Sequence, residues 1–513
     1  MALKYGVFVD TWYNTYKLFS KGLAGMKKGP QFNTEHHNFT TRDNLGIEAA
    51  ATSLQADLCP LVTTVTPRAF YWPFLVWNHY NYITSKQNWK WDEFNVEWVK
   101  RNDYFFVLSN LIAGNSDTAG LAGQQRATDD YSLNQKGPYA YSKDYLSARL
   151  GGMQYYYAGC ITMGFLTETS QEGDRFIFPR LTEEMGKPLA EAFQRAIERT
   201  VYFQKYRKVN LSVPKSVLEE FGKTLSLSMV GMDECKRLLR EAMFRPVRNQ
   251  RFSNANLISS SEYVRFLYNN YGYKNPTADQ MRQALYDFFS PRGQYRFPYP
   301  DSISEIIRGW EVVIGRQYLT FGIELIWKSM LECLVSPLSL KEWFAKCISY
   351  SSRRYDWDAP LKVLIAESNL SYEERSKLTS YQSSENKGYA IENALRLILS
   401  VYLRFSGRED IKQEYLEAGE GLSLSHVIEV IERFEHKPIF EFIEYVMKNW
   451  IVEQHLNTAY GKMLLGRDGY YIERINGKYY GTGHSASPNW QGIRLIQLLQ
   501  VMKDLDMLEA CNE

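Results

Sequence analysis

Several signatures are missing from this sequence, and each absence removes a class of protein. No two cysteines form a CxxC pair; Cys59, Cys160, Cys235, Cys333, Cys347 and Cys511 are scattered along the chain. A chain of 513 residues can bury a sizeable core without covalent staples, so reduced, mostly buried thiols are expected. There is no GxxxxGK[ST] loop, which excludes nucleotide hydrolysis of the P-loop kind, and no HExxH zinc motif. Ser485 and Ser487 lack the GxSxG turn that exposes a nucleophilic serine. Apolar stretches such as 323–327 are broken by charge within a few positions, far short of a membrane span. Residues 1–10 have neither the basic start nor the apolar centre of a signal peptide, so a soluble cytoplasmic protein with no membrane partner is expected. Charge of one sign is also missing. The balance of 60 Lys+Arg against 58 Asp+Glu excludes a histone-like nucleic-acid binder and leaves only local basic patches open.

What is present is an ordinary globular composition, with 45% hydrophobic and 23% charged residues, which excludes a disordered chain. Aromatics are abundant at 15%, with 37 Tyr and 12 Trp, so large flat side chains must dominate the core and any interface. The pattern predicts a mainly α, multi-helical fold carrying a winged helix-turn-helix-like unit and a small C-terminal β-hairpin. Its parts are an aromatic-rich helical region (1–138), the winged unit (139–200), a helical region (201–440) and C-terminal helices with the hairpin (441–513).

Residues 45–58 place Leu45, Ala49, Leu54 and Leu58 on one stripe behind Asn44 as a cap. The stretch 62–83 carries Phe70, Tyr71, Trp72, Phe74, Trp77, Tyr80 and Tyr82; aromatics at helical spacing read first as core, second as a partner surface. Between 139 and 200 the order changes. Helices over 141–150 and 153–163 precede a hairpin turning at Glu172-Gly173-Asp174, and Thr182 then caps a further helix. Helices, hairpin, helix is the order of a winged unit. Beyond it, 303–334 and 389–405 read as long buried helices and 351–388 as a polar surface excursion. Asn476-Gly477 signals a two-residue hairpin, and Pro488 leads a final helix with Ile493, Ile496, Leu499 and Met502 on one face.

Candidate chemistry is sparse. Gly481-Thr482-Gly483-His484-Ser485 could present amides to an anion at a helix start, but a hairpin exit explains the same glycines. Gly120-Leu121-Ala122-Gly123 is equally ambiguous. His36-His37 is the only close histidine pair, and His79, His426, His436, His455 and His484 are scattered, so no metal site and no cofactor are expected. Glu234-Cys235-Lys236 and Glu435-His436-Lys437 match the short half of a metal-dependent nuclease pattern, yet both lie in helical sequence without a preceding carboxylate strand. The winged unit carries too little positive charge to neutralise phosphates; basic residues gather instead at Lys205, Arg207 and Lys208, at Arg245, Arg248 and Arg251, and over 17–28. These stretches are the candidate DNA contacts, and each also reads as an ordinary solvated surface. Tyr155, Tyr156 and Tyr157 are three consecutive helical positions spanning about 200° of the circumference, so at least one must face outward as a candidate protein contact.

The run Thr41-Arg42-Asp43-Asn44-Leu45-Gly46-Ile47, followed by 63–66 with Arg68 and Tyr71, resembles a pattern in uncharacterised bacterial proteins of anti-phage defence islands. Leu181-Thr182, Gly186 and Leu189-Ala190 add to it, as do Gln454-His455-Leu456, Ala459, Lys462, Arg494 and Asp504-Leu505. The resemblance touches both ends of the chain and leaves 201–440 unmatched. It brings no established active site, so no functional residue comes with it. It implies an accessory subunit of a multi-gene defence system, beside an SMC-type or ABC-type ATPase and a nuclease effector, as in Lamassu-like systems. Together these readings point to a non-catalytic scaffold or regulatory subunit, with sequence-independent DNA binding and a cryptic metal-dependent nuclease as the alternatives.

Overall fold

In the computed structural model the described residues are 43–84, 90–115, 120–146, 151–167, 170–172, 175–177, 179–207, 211–244, 254–290, 298–349, 356–380, 387–418, 422–464 and 469–508. The basic stretch 17–28, the His36-His37 pair and Cys511 therefore lie outside them, and the unit described begins at Asp43.

The framework helices are α1 (Glu48–Leu58), α2 (Tyr71–Thr84), α3 (Lys100–Ile112), α4 (Tyr157–Thr162), α5 (Gly186–Ile197), α6 (Lys215–Thr224), α7 (Asp233–Phe244), α8 (Ala255–Tyr271), α9 (Ala278–Asp287), α10 (Ser304–Cys333), α11 (Tyr372–Ser380), α12 (Lys387–Phe405), α13 (Gln454–Leu464) and α14 (Arg494–Asp504). The mainly helical reading holds. At the centre, α10 is buried at every residue from Gly309 to Trp327. A helix surrounded on all sides has no single apolar stripe, which is why its sequence is apolar nearly all round. It packs along α12 and against α1 and α9. One continuous hydrophobic cluster runs from Leu45 to Leu508, and it joins helices from either side of residues 138, 200 and 440, as where α3 lies on α6 and α8 on α14.

The aromatic stretch is core. Phe70, Tyr71, Trp72, Phe74 and Trp77 are each at most 1% exposed. Phe70 stacks on Phe106 at 4.2 Å and meets Phe193 edge-on at 5.7 Å, locking α2 to α3 and α5. All the described cysteines are buried.

Strands are few. β1 (Ser170–Glu172) and β2 (Arg175–Ile177) form the expected antiparallel hairpin, pairing Glu172 with Arg175. β4 (Ile472–Ile475) and β5 (Lys478–Gly481) form the C-terminal hairpin, to which β3 (Leu338–Ser339) adds a third strand. Asn476 and Gly477 adopt φ of 51° and 79°, the left-handed pair that a two-residue turn of this twist requires.

Several boundaries differ from the sequence reading. Residues 141–146 are not helical, and 153–163 divides into a 3-10 segment to Tyr156 followed by the short α4. The helix-turn-helix half of the expected winged unit is therefore reduced among the described residues, because Gly151-Gly152 close on Asp103 and break the run. α1 starts three residues late. The Asp43 carboxylate, rather than Asn44, accepts the Ile47 amide at 2.9 Å, and Ala49 faces out while Ala50 and Ala51 face in. The polar excursion 351–388 contains two helices, residues 361–366 and α11. α14 begins at Arg494, six residues after Pro488.

Candidate functional site

Residues from the two ends of the described chain meet in a buried seam. Arg68 and Asp504 form a two-pronged ion pair, at 3.0 Å from Nε and 2.9 Å from Nη2, with both side chains at most 1% exposed. Asp504 also accepts the Ala69 amide at 3.0 Å, and the Arg68 amide donates to the Tyr156 hydroxyl at 3.0 Å. Burial lifts the Asp504 carboxyl to about 6 against the pull of that guanidinium. His455 Nε2 accepts the Tyr471 amide at 3.0 Å, so Nδ1 carries the proton it donates to the Asn44 carbonyl at 3.1 Å. Burial holds this ring neutral, with its pKa lowered to about 4. Lys462 donates to the Asp43 carbonyl, and Arg494 to the Cys59 and Val62 carbonyls. Thr182 Oγ1 accepts the Gly186 amide at 2.9 Å, and a Cβ at Gly186 would fall 2.1 Å from the Phe165 carbonyl oxygen. Each of these groups fastens the chain to itself.

The tyrosine triplet splits as helical geometry demands. Tyr155 is 51% exposed, Tyr156 is buried, and Tyr157 is half-buried with its ring 5.9 Å from that of His79. Of the predicted basic contacts, Lys205 and Arg207 are among the described residues. Lys205 is exposed, while the Arg207 guanidinium lies 3.9 Å over the Phe203 ring. Lys208, Arg245, Arg248 and Arg251 lie outside the described residues.

In the first Glu-x-Lys pair the two side chains diverge, and in the second the Lys437 ammonium lies 4.7 Å from the centre of the Phe434 ring. Glu234 binds Arg237 at 2.9 Å on the exposed face of α7, whereas Lys236 points away to Asp506 at 2.6 Å. Among the described residues no group of three or more His, Cys, Asp or Glu is placed to hold a metal ion. The glycine segment 481–485 leads into non-helical chain rather than a helix start, and Thr482 closes it by donating to the Tyr470 and Tyr471 carbonyls.

A different site emerges where α9, α11 and α12 meet. A cleft of about 620 Å³ is lined by Tyr286 and Asp287 of α9, by the chain from Asn369 to Glu373 with Arg375, and by Ser400, Leu403, Arg404 and Arg408. Behind it, Glu311 of the central helix is fully buried and accepts from Arg404 Nε at 2.6 Å, Arg308 Nη1 at 2.9 Å and Arg408 Nη1 at 3.4 Å. A carboxylate so deep is tolerable only when cations surround it. Arg408 also grips Asp410 through two bonds of 2.5 and 2.7 Å, and Arg375 pairs with Asp287. The Arg375 and Arg404 guanidiniums sit 5.0 and 5.1 Å from the centre of the Tyr286 ring.

Sequence reasoning missed this cleft. Glu311 and Arg404 are charges inside runs otherwise read as buried helix, and a charge in such a place needs a partner. That signal was visible; the partner, 93 residues away, was not. Arg375 lies in the stretch taken for a surface excursion. Compared with protein-family models, curated proteins and solved structures, the chain matches none.

Proposed function

We propose that this chain is a non-catalytic scaffold or regulatory subunit of a multi-protein bacterial defence complex acting in the cytoplasm. Its partners in this reading are an ATPase of the SMC or ABC type and a nuclease effector. The observation that carries the reading is the buried seam. Arg68 with Asp504, Asn44 with His455, Asp43 with Lys462 and Val62 with Arg494 hold distant parts of the chain together, which is the work of a framework rather than of a reaction centre. Among the described residues no helix is long and apolar enough to cross a membrane.

Docking in this reading falls to the unit at 139–200, taken as a winged module that presents Tyr155. A tyrosine offers broad apolar contact together with a hydroxyl, the profile of an interface anchor. The test is co-purification from the native operon. Wild-type protein should bring down the same partner subunits repeatedly, and Tyr155→Ala should lose them while melting within about 0.5 kcal/mol of wild type. Metal-dependent DNA cleavage by the purified chain, abolished by one carboxylate substitution, would overturn the reading.

A further inference from the structure

The cleft between α9, α11 and α12 has the features of a built anion site, independent of the scaffold reading. Four guanidiniums, those of Arg308, Arg375, Arg404 and Arg408, stand against three carboxylates, those of Asp287, Glu311 and Asp410. Arg375, Arg404, Arg408 and Asp287 line the cleft itself, and Glu311 lies buried behind it. Glu373 also lines the cleft, but it is exposed at the rim, where solvent and salt screen it.

Three further observations point inward at a ligand. α11 begins at the cleft wall, and the Ser371 hydroxyl caps only the Glu374 amide, at 3.2 Å, while Glu374 reaches back to the Ser371 amide at 2.8 Å. The amides of Tyr372 and Glu373, at the first helical positions, are thus left for an oxyanion where the helix dipole is positive. Tyr286 lines the cleft at 1% exposure, and its hydroxyl has no hydrogen-bond partner among the described residues. Arg375, 5% exposed, likewise has a buried Nε without one. Donors held this deep without an acceptor cost stability unless something fills the cleft. Leu370, Leu403 and Phe289 give the same space an apolar side.

We propose that this cleft binds a small phosphate monoester, with the phosphate between Arg404, Arg375 and the start of α11, and an apolar body against Leu403 and Phe289. The Arg375 Nε, the Tyr286 hydroxyl and the helix amides are the donors offered to the oxyanion, beside the positive charge of Arg404, and a cleft of about 620 Å³ holds a ligand of this size.

The experiment is calorimetric titration of the full chain with inorganic phosphate and with phenyl phosphate, at constant ionic strength set by chloride. Saturable binding of both is expected, with phenyl phosphate about tenfold tighter because its ring reaches the apolar wall. Leu403 is 39% exposed, so Leu403→Glu keeps the fold while placing a carboxylate at the cleft, and it should abolish binding of both probes. Arg404→Lys, which keeps the charge over Glu311 but loses the fork, should weaken binding about tenfold. Circular dichroism and melting of each variant separate loss of binding from loss of fold. No saturable heat from either probe, phenyl phosphate no tighter than phosphate, or Leu403→Glu binding as wild type would each overturn the proposal.

Discussion

Two parts of the core solve burial in opposite ways. Around α2 the core is aromatic packing, where Phe70, Phe74 and Trp77 interlock with Phe106 and Phe193 and Trp72 meets Tyr156 edge-on. Around the end of α12 it is an ionic lattice, where Glu311 sits under three arginines and two more ring faces lie beneath guanidiniums. Aromatic contacts are short-ranged and need no partner of opposite charge, so rings can pack against one another without leaving a charge to be neutralised. Charges demand particular partners and leave gaps between them, and the cleft lies at that second kind of core.

The contrast can be broken by truncation. Phe70→Ala should cost about 3–5 kcal/mol in denaturant unfolding, with little dependence on salt, because the loss is one of packing. Glu311→Gln should cost about 3 kcal/mol, since three guanidiniums are left facing a neutral amide. Adding salt should recover part of that second loss by screening the repulsion, and none of the first. A Glu311→Gln protein as stable as wild type would mean that the lattice holds nothing together.

A third prediction uses pH. Glu324 of α10 is buried and accepts the Asn489 amide at 3.0 Å; burial lifts its carboxyl to about 8, against an ordinary value of 4.5, with Glu48 and Asp43 adding to the rise. The folded state therefore holds a proton between about 4.5 and 8 that the unfolded state has released, so this group's contribution is full at low pH and is lost as pH rises to 8. Glu324→Gln should gain stability relative to wild type at pH 8 and none at pH 4.5. His455 works in the other direction. Its pKa is lowered to about 4, so the neutral ring contributes above the ordinary 6.5 and that contribution fades as pH falls toward 4. His455→Gln melts should accordingly differ less from wild type at pH 4 than at pH 7.

The smallest effect belongs to the C-terminal hairpin. Gly477→Ala, at φ of 79°, should cost about 1 kcal/mol and leave both kinds of core untouched. Equal losses from Gly477→Ala and Phe70→Ala would show that the hairpin is part of the cooperative core rather than an attachment to it.

How legible all this was depends on the range of the forces involved. Local rules read well. Asn476-Gly477 marked its turn because few residues tolerate positive φ in succession, and the apolar stretches 303–334 and 389–405 became α10 and α12 because length and composition suffice for a buried helix. Thr182 was read as a cap and does accept the Gly186 amide, although the helix begins later than its sequence suggested. The helix expected over 141–150 is absent through Leu146, because Tyr141 and Tyr145 are drawn instead to the carbonyls of Val96 and Ala122. Such distant contacts override propensity and leave no trace in a local window.

By itself, then, the sequence determined that this chain is mainly helical, dense with buried aromatics, and turned at its end by one hairpin, since each property follows from neighbours within a few residues. Only the tertiary structure decided that Arg68 meets Asp504 across 436 residues, and that Arg375, Arg404 and Arg408 gather around one cleft. Charge pairing acts through space with no preference for sequence separation, so which arginine finds which carboxylate is settled only when the helices have packed.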